Sequence, residues 1–116
     1  LTLLKEIDLQ NKIETLFIPS EGSACILLEA YDKVIDYVFQ NQSTYKIKIT
    51  DQVYMILSYS DFGAYSKVNH DATVLYRTYT NTYHNSTIYG HALIVGDDLQ
   101  SVSQEVIDSI LNIFYR

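Results

Sequence analysis

The chain has a single cysteine, Cys25, so an intramolecular disulfide is impossible. A cross-linked secreted scaffold is excluded, and a reducing, cytoplasmic setting is the expectation. Cys25 itself, within SACILLEAY, reads as a small apolar residue on a helix face. Basic residues are also scarce: eight lysines and arginines stand against 14 aspartates and glutamates, for a net charge of −6. Only Lys46 and Lys48 lie close together, so duplex nucleic acid is not an expected partner. The acids are scattered as well, with Asp97-Asp98 the only adjacent pair, which excludes a dense DNA-mimicking array. No apolar run approaches the roughly 18 residues of a membrane-spanning helix, and no membrane partner is expected. The leading LTLLKEIDLQ carries acids and no small-residue cleavage site, so it is not expected to be a secretory signal.

What is present reads as one domain of short elements. IETLFIP, ending at Pro19, predicts a strand, and SEGS at Ser20–Ser23 predicts the turn that starts a helix. From Ala24 onward the apolar residues Leu27, Leu28, Tyr31, Val34, Ile35, Val38 and Phe39 keep a helical period. TYKIKIT alternates as a half-buried strand, and VYMILSY from Val53 predicts a second, centrally placed one, the two forming a hairpin. Asp61-Phe62-Gly63 is a turn, and Ala64–Val68 a candidate short strand. Asn69 is placed to cap a helix from His70 to about Thr80, with Ala72, Leu75, Tyr76 and Tyr79 as its buried stripe. IYGHALIV predicts a strand from Ile88 to Val95. Ser101 and Gln104 have capping-box spacing ahead of a last amphipathic helix marked by Val102, Val106, Ile110, Ile113 and Phe114. The expected fold class is α+β: a mainly antiparallel sheet of about four or five strands, with two long amphipathic helices and one shorter helix packed on it.

The chemistry-bearing residues concentrate between Asn69 and Gly96, which holds all three histidines, His70, His84 and His91. Their separations of 14 and 7 residues give no i,i+4 pair, and with one cysteine no common zinc pattern is possible. No metal or cofactor is expected, and no catalytic residue is assigned. His70, Thr73 and Arg77 share one predicted helix face opposite the core stripe, where an arginine fork suits a small anion. His91, with Tyr89 on the same predicted strand face, is either a core histidine or a residue at a pocket mouth. SEGS could present backbone N–H groups at a helix N-terminus to a phosphate. Eight of the 11 tyrosines fall between Tyr45 and Tyr89, Tyr83 among them. Tyrosines suit a protein interface or a stacked base, although an AT-rich coding sequence raises Tyr, Ile, Asn and Lys together.

Asn69, Ala72-Thr73, Leu75, then Ile88, Gly90 and Val95-Gly96, with Ser101 before a terminal helix, resemble the family of small proteins of unknown function numbered 3846. The resemblance runs over about Val53 to Phe114 and implies an origin in a phage, plasmid or other mobile element. None of the histidines belongs to the matching pattern. The expected function is that of a small non-enzymatic binding protein, an oligomer of its own chain. It would act in counter-defence, sequestering a small anionic or nucleotide-type signal or binding a host protein. The ligand-binding candidates are His70, Thr73, Arg77, Tyr83, Tyr89 and His91. The alternatives are a small hydrolase acting on a nucleotide through His91 or His70, and a structural or assembly subunit.

Overall fold

The computed structural model describes residues 12–59, 67–80 and 87–115. Within them lie strands β1 (Lys12–Ile18) and β2 (Cys25–Ala30), helix α1 (Tyr31–Phe39), and strands β3 (Thr44–Thr50) and β4 (Val53–Ser58). Helix α2 (His70–Thr80), strand β5 (Ala92–Gly96) and helix α3 (Gln104–Phe114) follow. The strands form one five-stranded sheet in the order β2-β1-β5-β4-β3, with every neighbouring pair antiparallel. The architecture is α+β, as the mixture of periods in the sequence predicts. No helix among the described residues is long and apolar enough to cross a membrane.

Helices cover both faces of the sheet. Ala72 and Leu75 of α2 and Ile107 and Ile110 of α3 pack on Leu16, Ile18, Met55, Ala92 and Ile94. On the opposite face Val34, Val38 and Phe39 of α1 pack on Ile56, Leu93 and Val95. β5 therefore has an apolar neighbour above and below, and Ala92 through Val95 are all fully buried. This explains why ALIV runs without alternation: both faces of a central strand are inside. β4 alternates between the same two clusters, with Met55 on one side and Ile56 on the other. Its interior position between β5 and β3 agrees with the sequence reading.

The first expected helix is the main correction. Ala24–Phe39 is not one helix: Cys25–Ala30 pairs along its whole length with β1, and only Tyr31–Phe39 is helical. The helices among the described residues thus have nine, 11 and 11 residues, and the first, expected to be one of the two long ones, is the shortest. Ala, Leu and Glu favour helix locally, but pairing with β1 overrides that preference. Helix α1 ends at Gln40, which adopts the left-handed conformation (φ 48°) and donates its N–H to the Asp36 carbonyl at 2.9 Å.

Two smaller boundaries also move. The strand expected from Ile88 begins at Ala92, because Gly90 (φ 75°) breaks the run and leaves Tyr89 bridged singly to Val68. The cap of α3 is Ser103, whose hydroxyl accepts from the Val106 N–H, not Ser101. Ser101 instead accepts from the Glu14 N–H at 2.9 Å and ties the α3 lead-in to β1. The buried stripe of α3 is Ile107 and Ile110, with Val106, Ile113 and Phe114 only half-buried. The Asp61–Gly63 turn, most of the candidate strand at Ala64–Val68, and the segments 1–11 and 81–86 lie outside the described residues.

Candidate functional site

The residues expected to form one anion-binding face are divided by the fold. Thr73 does not share the solvent face of α2. It is buried, and its hydroxyl accepts from the Ile88 N–H at 2.9 Å. Its role is to hold the 87–90 segment against the helix. His70 and Arg77 are exposed, and the Arg77 guanidinium donates to the Thr87 hydroxyl at 3.4 Å. Tyr89 is half-buried on the Val68 bridge. Tyr83 and His84 lie outside the described residues.

His91 is in a different place. It is exposed and precedes β5, so it is not a core histidine, and it meets Phe17 on the α1 side of the sheet, where Leu93 and Val95 also lie. The His91 Nδ1 accepts from the backbone N–H of Ser20 at 3.1 Å. In the neutral imidazole the proton therefore resides on Nε2, which is left as a donor. The His91 ring meets Phe17 edge-on, with centroids 5.3 Å apart and planes at 79°. Phe17 in turn meets Tyr37 edge-on at 6.5 Å and 81°.

These rings line an open cleft of about 340 Å³ with Pro19, Val38 and Gln40. Each wall has a local cause. Phe17 alternates with the buried Leu16 and Ile18 along β1, so it faces the α1 side. Pro19 ends β1 by removing an N–H from the ladder. Tyr37 is 68% exposed, off the Val34–Val38 core stripe of α1. The left-handed turn at Gln40 brings the end of α1 to the same place. Lys67 and Glu21, both well exposed, form an ion pair that adds little to stability.

The Ser20–Ser23 segment leads into β2 and starts no helix, so the expected helix-terminus phosphate site is absent there. A second groove of about 220 Å³ adjoins Tyr37 on the β2 side, between Leu27, Leu28, Glu29, Lys33 and Val34. A broader concavity on α3 draws Asp108, Ser109, Leu111, Asn112 and Tyr115 from one helix and its end, so it has no second wall.

The cleft and the Arg77 face lie on opposite sides of the sheet, since Phe17 and Val38 belong to the α1 cluster and Ala72 and Leu75 to the other. Sequence reasoning found His91 and missed Phe17, Tyr37 and Gln40. A signal for Tyr37 existed: a large aromatic set among Asp32, Lys33 and Asp36 on the polar face of a helix. Phe17 and Gln40 gave none, because only strand order brings β1 and the end of α1 beside His91. No protein-family model matches this chain, and no curated protein or solved structure matches it significantly.

Proposed function

We propose that this chain is a non-enzymatic binding protein that captures a planar heteroaromatic group, of the nucleobase type, in the cleft between His91, Phe17 and Tyr37. The carrying observation is the Ser20 N–H bond to His91 Nδ1, which fixes an Nε2–H donor beside two further rings. A base offers a face for stacking and edge acceptors for that donor. The volume of about 340 Å³ falls in the range of small-ligand sites. The lining residues among those described include no lysine or arginine, so recognition would rest on the base and not on a phosphate.

The hydrolase alternative has less support. A general base is ordinarily oriented by a carboxylate on its second nitrogen, whereas His91 holds a backbone amide there. Five of the residues that carry the resemblance have architectural roles: Asn69 and Thr73 in hydrogen bonds, Ala72 in the core, Gly90 and Gly96 at turns. The resemblance thus bears on fold, and a mobile-element origin would make the captured molecule a host signal. The test is calorimetric titration with nucleosides, mononucleotides and cyclic dinucleotides, followed by recovery of the ligand. Saturable binding with intact ligand, weakened about tenfold by Tyr37→Ala, is expected from the stacking contribution of roughly 1–3 kcal/mol per base. Binding that ignores Tyr37→Ala, or a chemically altered ligand, would sink the reading.

A further inference from the structure

The two edges of the sheet are guarded differently. β3 carries exposed Lys46 and Lys48, the charged guard that keeps an edge strand from pairing with another chain. β2, at the other edge among the described residues, shows Cys25-Ile26-Leu27-Leu28 with no charge, and Ile26 and Leu28 are 43% and 58% exposed. Its one charged residue, Glu29, turns its carboxylate back onto the Ala30 N–H at 3.0 Å. That bond, with Lys12 and Lys33 near it, holds the Glu29 carboxyl below its ordinary range.

The backbone of this edge is directed outward. Glu14 is the register partner of Leu28 on β1. It donates its N–H to the Ser101 hydroxyl at 2.9 Å, and its carbonyl accepts from the Val102 N–H at 3.0 Å, both away from β2. Glu14 and Leu28 therefore face each other as a non-hydrogen-bonded pair, and Leu28 points its own N–H and C=O out of the sheet. Alternation gives Ile26 the same direction. The Thr15 hydroxyl bond to the Leu27 carbonyl at 3.2 Å agrees, placing that carbonyl on the β1 side. Beyond both ends the amides are already engaged, Ala24 by the Tyr115 hydroxyl at 3.0 Å and Ala30 by Glu29. The outward groups left between them belong to Ile26 and Leu28, placed symmetrically about Leu27.

We propose that β2 pairs antiparallel with β2 of a second copy of this chain, about a two-fold axis through Leu27. In that register Ile26 of each copy faces Leu28 of the other, and the outward N–H and C=O groups of all of them are paired. The exposed Ile26 and Leu28 side chains cover one another on the α3 side of the sheet. Leu27 meets its own counterpart, and Glu29 faces Cys25, so no carboxylate stands opposite a carboxylate. The contacts are reciprocal, Ile26 to Leu28 and Leu28 to Ile26, which is the condition that an isologous interface sets. The pairing uses none of the cleft residues, so it stands or falls apart from the ligand reading.

Sedimentation velocity across a dilution series tests the interface. The chain is expected to sediment as a dimer at high concentration. Leu28→Lys, and separately Ile26→Lys, should give monomers with an unchanged far-ultraviolet circular dichroism spectrum. The register is tested by oxidising Leu27→Cys in a Cys25→Ser background, where an intermolecular disulfide should form. Leu28→Cys in the same background should remain uncrosslinked. A wild-type chain that stays monomeric overturns the proposal, as does a dimer that survives both lysine substitutions. Crosslinking at position 28 and not at 27 overturns the register. A dimer lost only with unfolding of both lysine variants, and without the position-27 crosslink, also counts against it.

Discussion

The side chain of Asn69 joins α2 to a strand 51 residues earlier: its Nδ2 donates to the Ile18 carbonyl at 2.8 Å. The same nitrogen donates to the Gly90 carbonyl at 2.9 Å, and its Oδ1 accepts from the Ala72 N–H at 3.0 Å. One buried amide thus caps the helix, anchors the end of β1 and fixes the turn that presents His91.

Asn69→Ala is expected to cost about 2–4 kcal/mol, more than an ordinary cap, because buried carbonyls lose their donors as well. The sharper comparison is Asn69→Asp. At an exposed cap aspartate equals asparagine. Here it keeps the acceptor but sets a carboxylate against two carbonyl oxygens, so it should destabilise at least as much as alanine. Urea denaturation of both variants checks this, and a benign aspartate would show that the two donor bonds contribute nothing.

Gly96 and Gly22 separate steric from conformational cost. A Cβ on Gly96 would fall 2.3 Å from the Ser101 carbonyl oxygen, where the chain doubles back after β5. Gly96→Ala should therefore cost about 3 kcal/mol through overpacking. Gly22 has φ 95° and open space around it, so Gly22→Ala should cost only about 1 kcal/mol of backbone strain. Thermal melts of the two variants give the ranking.

Arg77 and His91 decide which face binds. Arg77 is exposed with one long bond to Thr87, so Arg77→Ala should change stability by less than about 0.5 kcal/mol. It should also leave the affinity for a base-containing ligand unchanged. His91→Ala should lower that affinity about tenfold, the worth of roughly one charge-neutral hydrogen bond with its ring contact. The opposite pattern would return the site to the anion face of α2.

The exposed ion pair between Lys48 and Asp51, 2.7 Å apart, has a defined pH window. The lysine's hydrogen bond and charge hold the Asp51 carboxyl below its ordinary range, and Asp51 likewise raises Lys48. A lowered carboxyl pKa stabilises the fold above the ordinary carboxylate range and ceases to do so as pH falls through the lowered value. The raised lysine pKa stabilises below the ordinary lysine range and ceases to do so as pH rises through the raised value. The difference between wild type and Asp51→Asn should thus be flat near neutrality, shrink at both extremes and fade with added salt. A difference that persists in acid would mean that the pair is not its source.

Local pattern alone determined the β3–β4 hairpin, the helix beginning at His70 and the helix ending at Phe114, since in each the apolar period and the end signals agree. It also located Asn69 as a cap. The Cys25–Ala30 strand was hidden because its exposed Ile26 and Leu28 break the alternation that marks a half-buried strand. Its Ala and Leu residues also continue the helical period of Tyr31–Phe39. Only long-range pairing with β1 decides between the two, and that information is not local. The candidate site has the same origin. Phe17, Tyr37 and His91 lie 20 and 54 residues apart in the chain, and they meet because β5 inserts between β1 and β4 and α1 folds back over that junction. The sequence set which residues are aromatic, polar or charged; strand order, which is a property of the whole sheet, set which of them share a cleft.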